Sequence, residues 1–420
     1  MKNSTWIPVA ATVCAVLATS WLLAADGPAK AAPNAPSAAT RPAAKELSDS
    51  VKTGLAWLAK NQMENGAWAQ GEESAAMGSS AAKIKDLPNV ADTCMAMMAL
   101  HRGGSTPKDG PYKGNLLLAV KFLCNQIEES DANSLSITSV QGTRTQMKLG
   151  TYIDTFLAAQ VLAELKDSMP DEKTAQRVRD DLEKVVRKME KNQGKDGQWK
   201  NEGWAPGLAQ AQAAKALNVV SASGVKVDEK VRQNAETYAR KEYAGAKAGK
   251  TPGNDAGVAL YSAGGQIAAM QSSANNNDAM KADLDKTVAS PASKPAEKEA
   301  AKVQLARIAD NEKDLRDAQN AVVAKMTDQK FVSGFGSNGG EEFLSYLNLG
   351  ESLFQRGGPE WQKWDKMITD NLNNVQNKDG TWTGHHCITG RTFCTSAALM
   401  VLTIDRSPMP AAAKIKGAGR

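Results

Sequence analysis

The sequence predicts an all-helical fold that is built from repeated helical hairpins. One motif, Gln-x-x-x-Gly-x-Trp, recurs as Gln62/Gly66/Trp68, Gln193/Gly197/Trp199 and Gln376/Gly380/Trp382. Helices of two kinds, one rich in alanine and one rich in charge, alternate along the chain, and strand patterns are almost absent. A motif that returns in the same setting indicates one structural unit used several times.

Each copy of the motif follows an amphipathic helix and precedes a helix of small residues. The glycine permits the tight turn out of the first helix, and the tryptophan then packs in a fixed direction. Helices of small residues are predicted near residues 91–100, 152–165, 206–220, 255–270, 341–354 and 392–404. Polar helices are predicted near 49–61, 115–128, 175–192, 229–242 and 360–375, with a sixth inside 294–325. We expect an inner layer of close-packed helices and an outer layer that meets water.

The arrangement of these hairpins follows from how repeats end. Repeats that bury their faces only against neighbours must be capped or must close on themselves. The first and last copies of the motif are alike, whereas capping repeats should be atypical. The sequence therefore favours six hairpins closed into a ring, and the alternative is an open superhelix.

The composition excludes several classes of protein. The chain has 420 residues, with 51 basic and 46 acidic side chains and a net charge of +5, so a nucleic-acid partner is not expected. With 42% hydrophobic and 23% charged residues, it does not resemble a fibre, a disulfide knot, a polytopic membrane protein or a disordered chain.

The first residues predict export. Residues 1–25 contain Lys2, an apolar run from Trp6 and a small-residue end, which is the pattern of a signal peptide cleaved after Ala24 or Ala25. The alternative is an uncleaved membrane anchor. Residues 26–44 form an Ala/Pro-rich linker, 45–406 the repeat domain and 407–420 a tail. We expect a protein of the periplasm or cell surface, or a secreted one.

The repeat domain is interrupted by a predicted insertion at 271–328. Its first part is poor in apolar residues, and 296–325 reads as one long charged helix. This helix is either an extended outer helix of the fifth repeat or a protruding arm that contacts a protein partner. Four cysteines follow the signal segment, Cys94, Cys124, Cys387 and Cys394, and the sequence leaves disulfides and buried thiols equally open.

The motif and its helical setting resemble the repeat of squalene cyclases and protein prenyltransferases. Together with the segments 91–100, 103–112 and 390–399, the chain looks like the exported bacterial prenyltransferase and squalene oxidase repeat proteins. The resemblance implies an α/α toroid of six inner and six outer helices around a central cavity. It says little of activity, because one fold hosts many functions.

The chemistry of polyene cyclisation is not supported. Cyclases of this superfamily use an Asp-x-Asp-Asp acid and a cavity lined by aromatic rings. The sequence has no such motif, and only 5% of its residues are aromatic.

Protein prenyltransferases hold zinc with an Asp-x-Cys pair and a histidine, and the resemblance implies a possible zinc site here. Asp92 and Cys94 match the pair, and His385 and His386 precede the last inner helix. The histidines come one repeat before the pair, whereas in that family the histidine comes after it. No cofactor is otherwise expected, and the alternative is that Asp92 caps a helix and Cys94 packs in its wall.

A ring of parallel inner helices would place their starts at one mouth of the cavity. The predicted rim of a small-ligand or peptide site consists of Asp92, Tyr152, Asp154, Trp204, Asp255, Glu341, Glu342, His385, His386 and Arg391. Acidic residues at helix starts can equally be caps. We expect a binding or scaffold protein, and the alternative is an enzyme that acts at this mouth.

Overall fold

The computed structural model describes residues 44–74, 84–200, 202–248, 258–334 and 339–408. In these residues the chain is almost entirely helical, which confirms the predicted all-helical class. None of the helices in this part of the chain has the length and apolar character needed to cross a bilayer.

The helices agree closely with the predicted pattern. They are α1 (Asp49–Lys60), α2 (Val90–Arg102), α3 (Lys113–Glu129), α4 (Arg144–Leu149), α5 (Ile153–Leu165), α6 (Glu172–Lys191), α7 (Pro206–Ala222), α8 (Glu229–Lys247), α9 (Ala259–Ala289), α10 (Pro295–Lys325), α11 (Gln329–Val332), α12 (Gly340–Arg356), α13 (Gly358–Asn374) and α14 (Arg391–Leu402). Two short strands, β1 (Trp68–Ala69) and β2 (Pro88–Asn89), pair antiparallel. A 3-10 turn follows at Ile404–Arg406.

The helices of small residues form an inner set. α2, α5, α7, α9, α12 and α14 pack each against the next in that order, and α14 also packs against α2. The outer set, α1, α3, α6, α8, α10 and α13, lies against them. In α5 almost every residue is buried, whereas α6 buries a stripe that includes Val178, Leu182 and Val185. Small side chains allow the close packing of the inner set, and helical periodicity produces the single buried stripe of α6.

Each of the three copies of the motif fastens its hairpin to the next outer helix. The Trp68 indole N–H donates to the Leu58 carbonyl at 2.8 Å, and Trp199 and Trp382 make the same bond within their own repeats. The Gln62 amide donates to the carbonyl of Gly66 and to that of Asn115 in α3. One amide therefore closes the turn and holds the next outer helix.

The segment from 271 differs from its expected form, because α9 continues through it to Ala289. Its Ser and Asn side chains are buried and hydrogen-bonded: Asn277 donates to Glu236 Oε2 at 2.9 Å and accepts from Arg307. Arg307 also forms a 2.6 Å ion pair with Glu236 on α8. Polar residues that satisfy one another can occupy a core, so the low apolar content here does not end the helix. α10 lies against α8 and α9.

Candidate functional site

Four of the predicted rim residues form a buried group that we call the acid cluster. Asp92, Asp154, Glu341 and Glu342 lie in the first turns of α2, α5 and α12, and each side chain is 1% exposed. The sequence places them on an open rim, and the structure instead encloses them. The sequence does not predict the burial of these four side chains, because a carboxylate at a helix start is usually solvated.

The acid cluster ties neighbouring hairpins together. Asp154 Oδ1 accepts a hydrogen bond from the backbone N–H of Ala91 at 2.9 Å, which joins α5 to the start of α2. Glu341 Oε2 accepts from the Ile388 N–H at 3.0 Å, in the segment before α14. The Tyr261 hydroxyl on α9 donates to Glu342 at 2.7 Å. These bonds join the start of α5 to that of α2, and the start of α12 to α9 and to the segment before α14.

Three carboxyl groups of the acid cluster, Asp92, Asp154 and Glu341, have raised pKa values. Burial raises the pKa of Asp92 to about 8, and the neighbouring Asp154 carboxyl adds to the rise. The backbone of Phe393 and the Thr145 hydroxyl offset only part of it, since neither Asp92 oxygen has a partner in hydrogen-bond geometry among the described residues. Burial also raises the pKa of Glu341 to about 8 and that of Asp154 to about 6. Asp92 and Glu341 are thus mainly neutral acids at pH 7.

The short helix α4, which the sequence analysis did not find, packs its polar side chains into this end. Gln146 Nε2 donates to Asp154 Oδ2 at 2.9 Å, and the Arg144 guanidinium makes a two-bond ion pair with Glu73. Arg144, Gln146 and Lys148 are all at least nine-tenths buried. The chain's own residues therefore occupy the space beside the acid cluster.

The remaining predicted rim residues that the structure describes are more exposed to solvent than the acid cluster. His385, His386 and Trp204 are exposed, and Tyr152 is half-buried. Lys148 Nζ stands 4.5 Å from the Trp204 ring centre, a cation–π contact. Arg391 forms a 2.5 Å ion pair with Asp379. Asp255 lies outside the described residues.

The residues proposed for zinc do not fit the ion. Asp92 and Cys94 are enclosed, whereas His385 and His386 are exposed. Burial raises the pKa of the Cys94 thiol well above its usual value. In the described residues, no three His, Cys, Asp or Glu side chains are grouped to hold a metal. Cys94, Cys124, Cys387 and Cys394 are buried thiols without disulfide bonds.

A second polar centre, the charge triad, lies at the carboxyl-terminal end of the inner set. Glu351 on α12 forms ion pairs with Arg102 of α2 at 2.6 Å and with Lys215 of α7 at 2.5 Å. The Arg102 side chain is 1% exposed and also donates to the Met400 carbonyl. Burial alone would raise the pKa of Glu351, but Lys215 and Arg102 lower it to about 2. Side chains from helices that are not adjacent in the inner set thus meet at one point.

Beside the charge triad lies an open cavity, which we call the polar cavity. Its empty space, including the open mouth, is about 560 Å³. Six of its lining residues are amides: Gln160, Asn218, Gln271, Asn275, Asn348 and Gln355. Lys215, Glu351 and Glu164 supply its charged groups, and Val219 and Ala268 a small apolar wall. The predicted rim lies at the starts of the inner helices and therefore does not include this cavity, most of whose lining residues follow later in those helices.

Comparison of the chain with models of protein families, with curated proteins and with solved structures finds no match.

Proposed function

We propose that the chain is an exported α/α-toroid repeat protein of six hairpins that binds a small ligand, of the prenyltransferase and squalene oxidase repeat type. Export rests on the signal pattern of residues 1–25, and the family on the repeated motif. The toroid is supported by the order of contacts in the inner set, which returns from α14 to α2.

The last copy of the motif gives independent support for closure. The Gln376 amide donates to its own Gly380 carbonyl and to the Ser50 carbonyl of α1, as Gln62 does to the helix that follows it. Gly380 has a φ of +86°, and a Cβ there would lie 2.4 Å from Thr53 Cγ2. The last turn is thus fastened to the first helix in the way that internal turns are fastened to their neighbours.

Closure predicts a large effect for Gly380→Ala. Left-handed strain costs about 1–2 kcal/mol and overpacking about 1–3 kcal/mol, so we expect the free energy of unfolding to fall by about 2–4 kcal/mol in urea titrations. Gly104 is the matched control, since its φ is +94° but nothing lies within 4 Å of a Cβ. Gly104→Ala should show the strain alone. Equal losses in the two variants would favour the open superhelix, and Thr53→Ala should relieve part of the Gly380→Ala loss.

The observation that carries the binding role is the polar cavity. The amino-terminal end is filled by α4, whereas the opposite end keeps an open, concave space lined by amide and charged side chains. No reaction needs to be assumed for such a site. Binding is therefore the simplest use of the geometry.

The binding role predicts a bound molecule in protein purified from its native host. Native mass spectrometry should find one ligand per chain, and Val219→Trp, which fills the cavity wall, should lose it. An unliganded wild-type protein, or a ligand retained equally by the variant, would count against the role. The variant's thermal unfolding midpoint shows whether the chain still folds.

An enzyme is the second candidate, because Asp92 is a buried neutral acid of the kind that can donate a proton. For this role a substrate would have to reach the acid cluster past α4. Turnover that Asp92→Asn abolishes, while ligand retention persists, would favour it.

A further inference from the structure

We infer that the polar cavity takes a small, neutral, hydroxyl-rich molecule, a monosaccharide or a polyol of similar size. This inference rests on the proposed binding function and adds the class of ligand. It follows from which polar groups in the cavity lack partners, how its charges balance, and what its wall lacks.

Several amide side chains that line the cavity lack hydrogen-bond partners among the described residues. Asn348 is 5% exposed, lines the cavity and makes no side-chain hydrogen bond within the described residues. Gln355 is likewise without a partner there, and the Asn275 amide accepts from Gln271 but donates to no described group. A buried amide that lacks a partner costs free energy unless a ligand or water satisfies it. Each amide presents a donor beside an acceptor, and a hydroxyl group is also both.

The charges argue against an anionic ligand. Lys215 is already paired with Glu351, whose second cation is Arg102. Glu164 also faces the cavity, and its Oε2 is buried with no hydrogen-bond partner in the described residues. A phosphate or carboxylate would compete with Glu351 for Lys215 and would lie near the Glu164 carboxyl group. A neutral ligand hydroxyl does neither.

The wall argues against an aromatic ligand. Among the described residues that line the cavity none is aromatic, so a flat ring would find no stacking partner. Val219 and Ala268 instead offer a small apolar patch that suits the C–H groups of a compact ligand. Neutral hydroxylated molecules are the class that meets all three conditions.

The inference is tested with four probes of known chemistry: glucose, mannitol, glucose 6-phosphate and tryptophan. Saturation-transfer NMR on the purified protein should detect glucose or mannitol and neither of the other two. Titration calorimetry should show at least a tenfold loss of affinity in Asn348→Leu. Asn374→Leu is the matched control, because Asn374 is exposed on α13 and makes no side-chain bond in the described residues. Val219→Trp, a second blocking variant, covers the case in which Asn348→Leu does not fold.

The outcomes separate the ligand class from the binding function. Glucose 6-phosphate or tryptophan binding that Val219→Trp abolishes, without binding of the neutral probes, overturns the class and leaves the binding function in place. Neutral-probe binding that neither cavity variant changes overturns the cavity as their site. If no probe binds and the co-purified ligand is charged or aromatic, the class also fails.

Discussion

Replacing Glu351 with glutamine is expected to lower the free energy of unfolding by about 3–5 kcal/mol at pH 7, the usual cost of breaking a buried ion pair. Glu351 pairs with both Arg102 and Lys215, and the Arg102 side chain is 1% exposed. Without the carboxylate, Arg102 keeps its charge in an enclosed position, and the Met400 carbonyl and the glutamine oxygen are neutral acceptors that do not balance that charge. Chemical denaturation of wild type and variant measures the loss.

A double variant tests whether the loss of stability comes from the unpaired charge of Arg102 or only from changed packing. Arg102→Met combined with Glu351→Gln should recover part of the stability, because the unpaired cation is then gone. Asp370→Asn is the surface control: its ion pair with Lys366 is largely exposed, so a change of less than about 1 kcal/mol is expected. A Glu351→Gln loss as small as that of the control would mean that water solvates the charge triad.

The Glu351 carboxylate also makes the stability of the protein fall at low pH. The pKa of Glu351 is about 2 in the folded protein against an ordinary 4.5. A group whose pKa is lower in the folded protein than in the unfolded chain stabilises the fold fully at pH values above its unfolded pKa. This stabilisation is lost as the pH falls through its folded pKa. The wild type should therefore lose this contribution between about pH 4.5 and pH 2, and Glu351→Gln should lack that part of the acid dependence.

The repeats were predictable because the signals that define them are local. A Gly-x-Trp turn needs a positive φ at one glycine and a tryptophan that reaches back into its own hairpin, and both requirements are written in seven residues. The second hairpin lacks this motif and carries α4 instead. Its one available signal was the Thr143-x-x-Gln146 capping box, which forms in the structure. A six-residue helix has too little periodicity to be found otherwise.

The sites were less predictable because they depend on burial and on distant pairing. Asp92 and Asp154 are first-turn acids like Asp49, yet Asp49 is exposed and they are enclosed. The charge triad joins residues separated by up to 249 positions, and nothing local in the sequence marks them as partners. Asn348 likewise becomes informative only once its lack of partners is seen. The sequence thus predicts helix starts, whereas the site depends on what covers them.

Asp92→Asn is expected to stabilise the protein at alkaline pH, by about 2–5 kcal/mol at pH 9. The folded pKa of Asp92 is about 8, raised by burial and by Asp154, against an ordinary value of 3.8. A carboxyl with a raised folded pKa contributes stability that is complete below the unfolded value and is lost as the pH rises through the folded one. Asparagine is similar in size and stays neutral, so the variant avoids the cost of ionising a buried group. Unfolding titrations at pH 5, 7 and 9 measure the difference.

The control for this prediction is Asp49→Asn, since Asp49 has the same first-turn position on α1 but is exposed. The free energy of unfolding of Asp49→Asn should differ from that of the wild type by no more than about 1 kcal/mol, the usual size of a helix-dipole interaction. In the wild type, Asp92 and Glu341 weaken the fold as the pH rises and Glu351 weakens it as the pH falls, so these groups together favour mildly acidic pH. A variant less stable than wild type at pH 9 would mean that Asp92 is ionised in the folded protein. Arg144 and Lys148 of α4 would then pair with Asp92. In that case α4 would stabilise the acid cluster by its charge, and not only by filling space beside it.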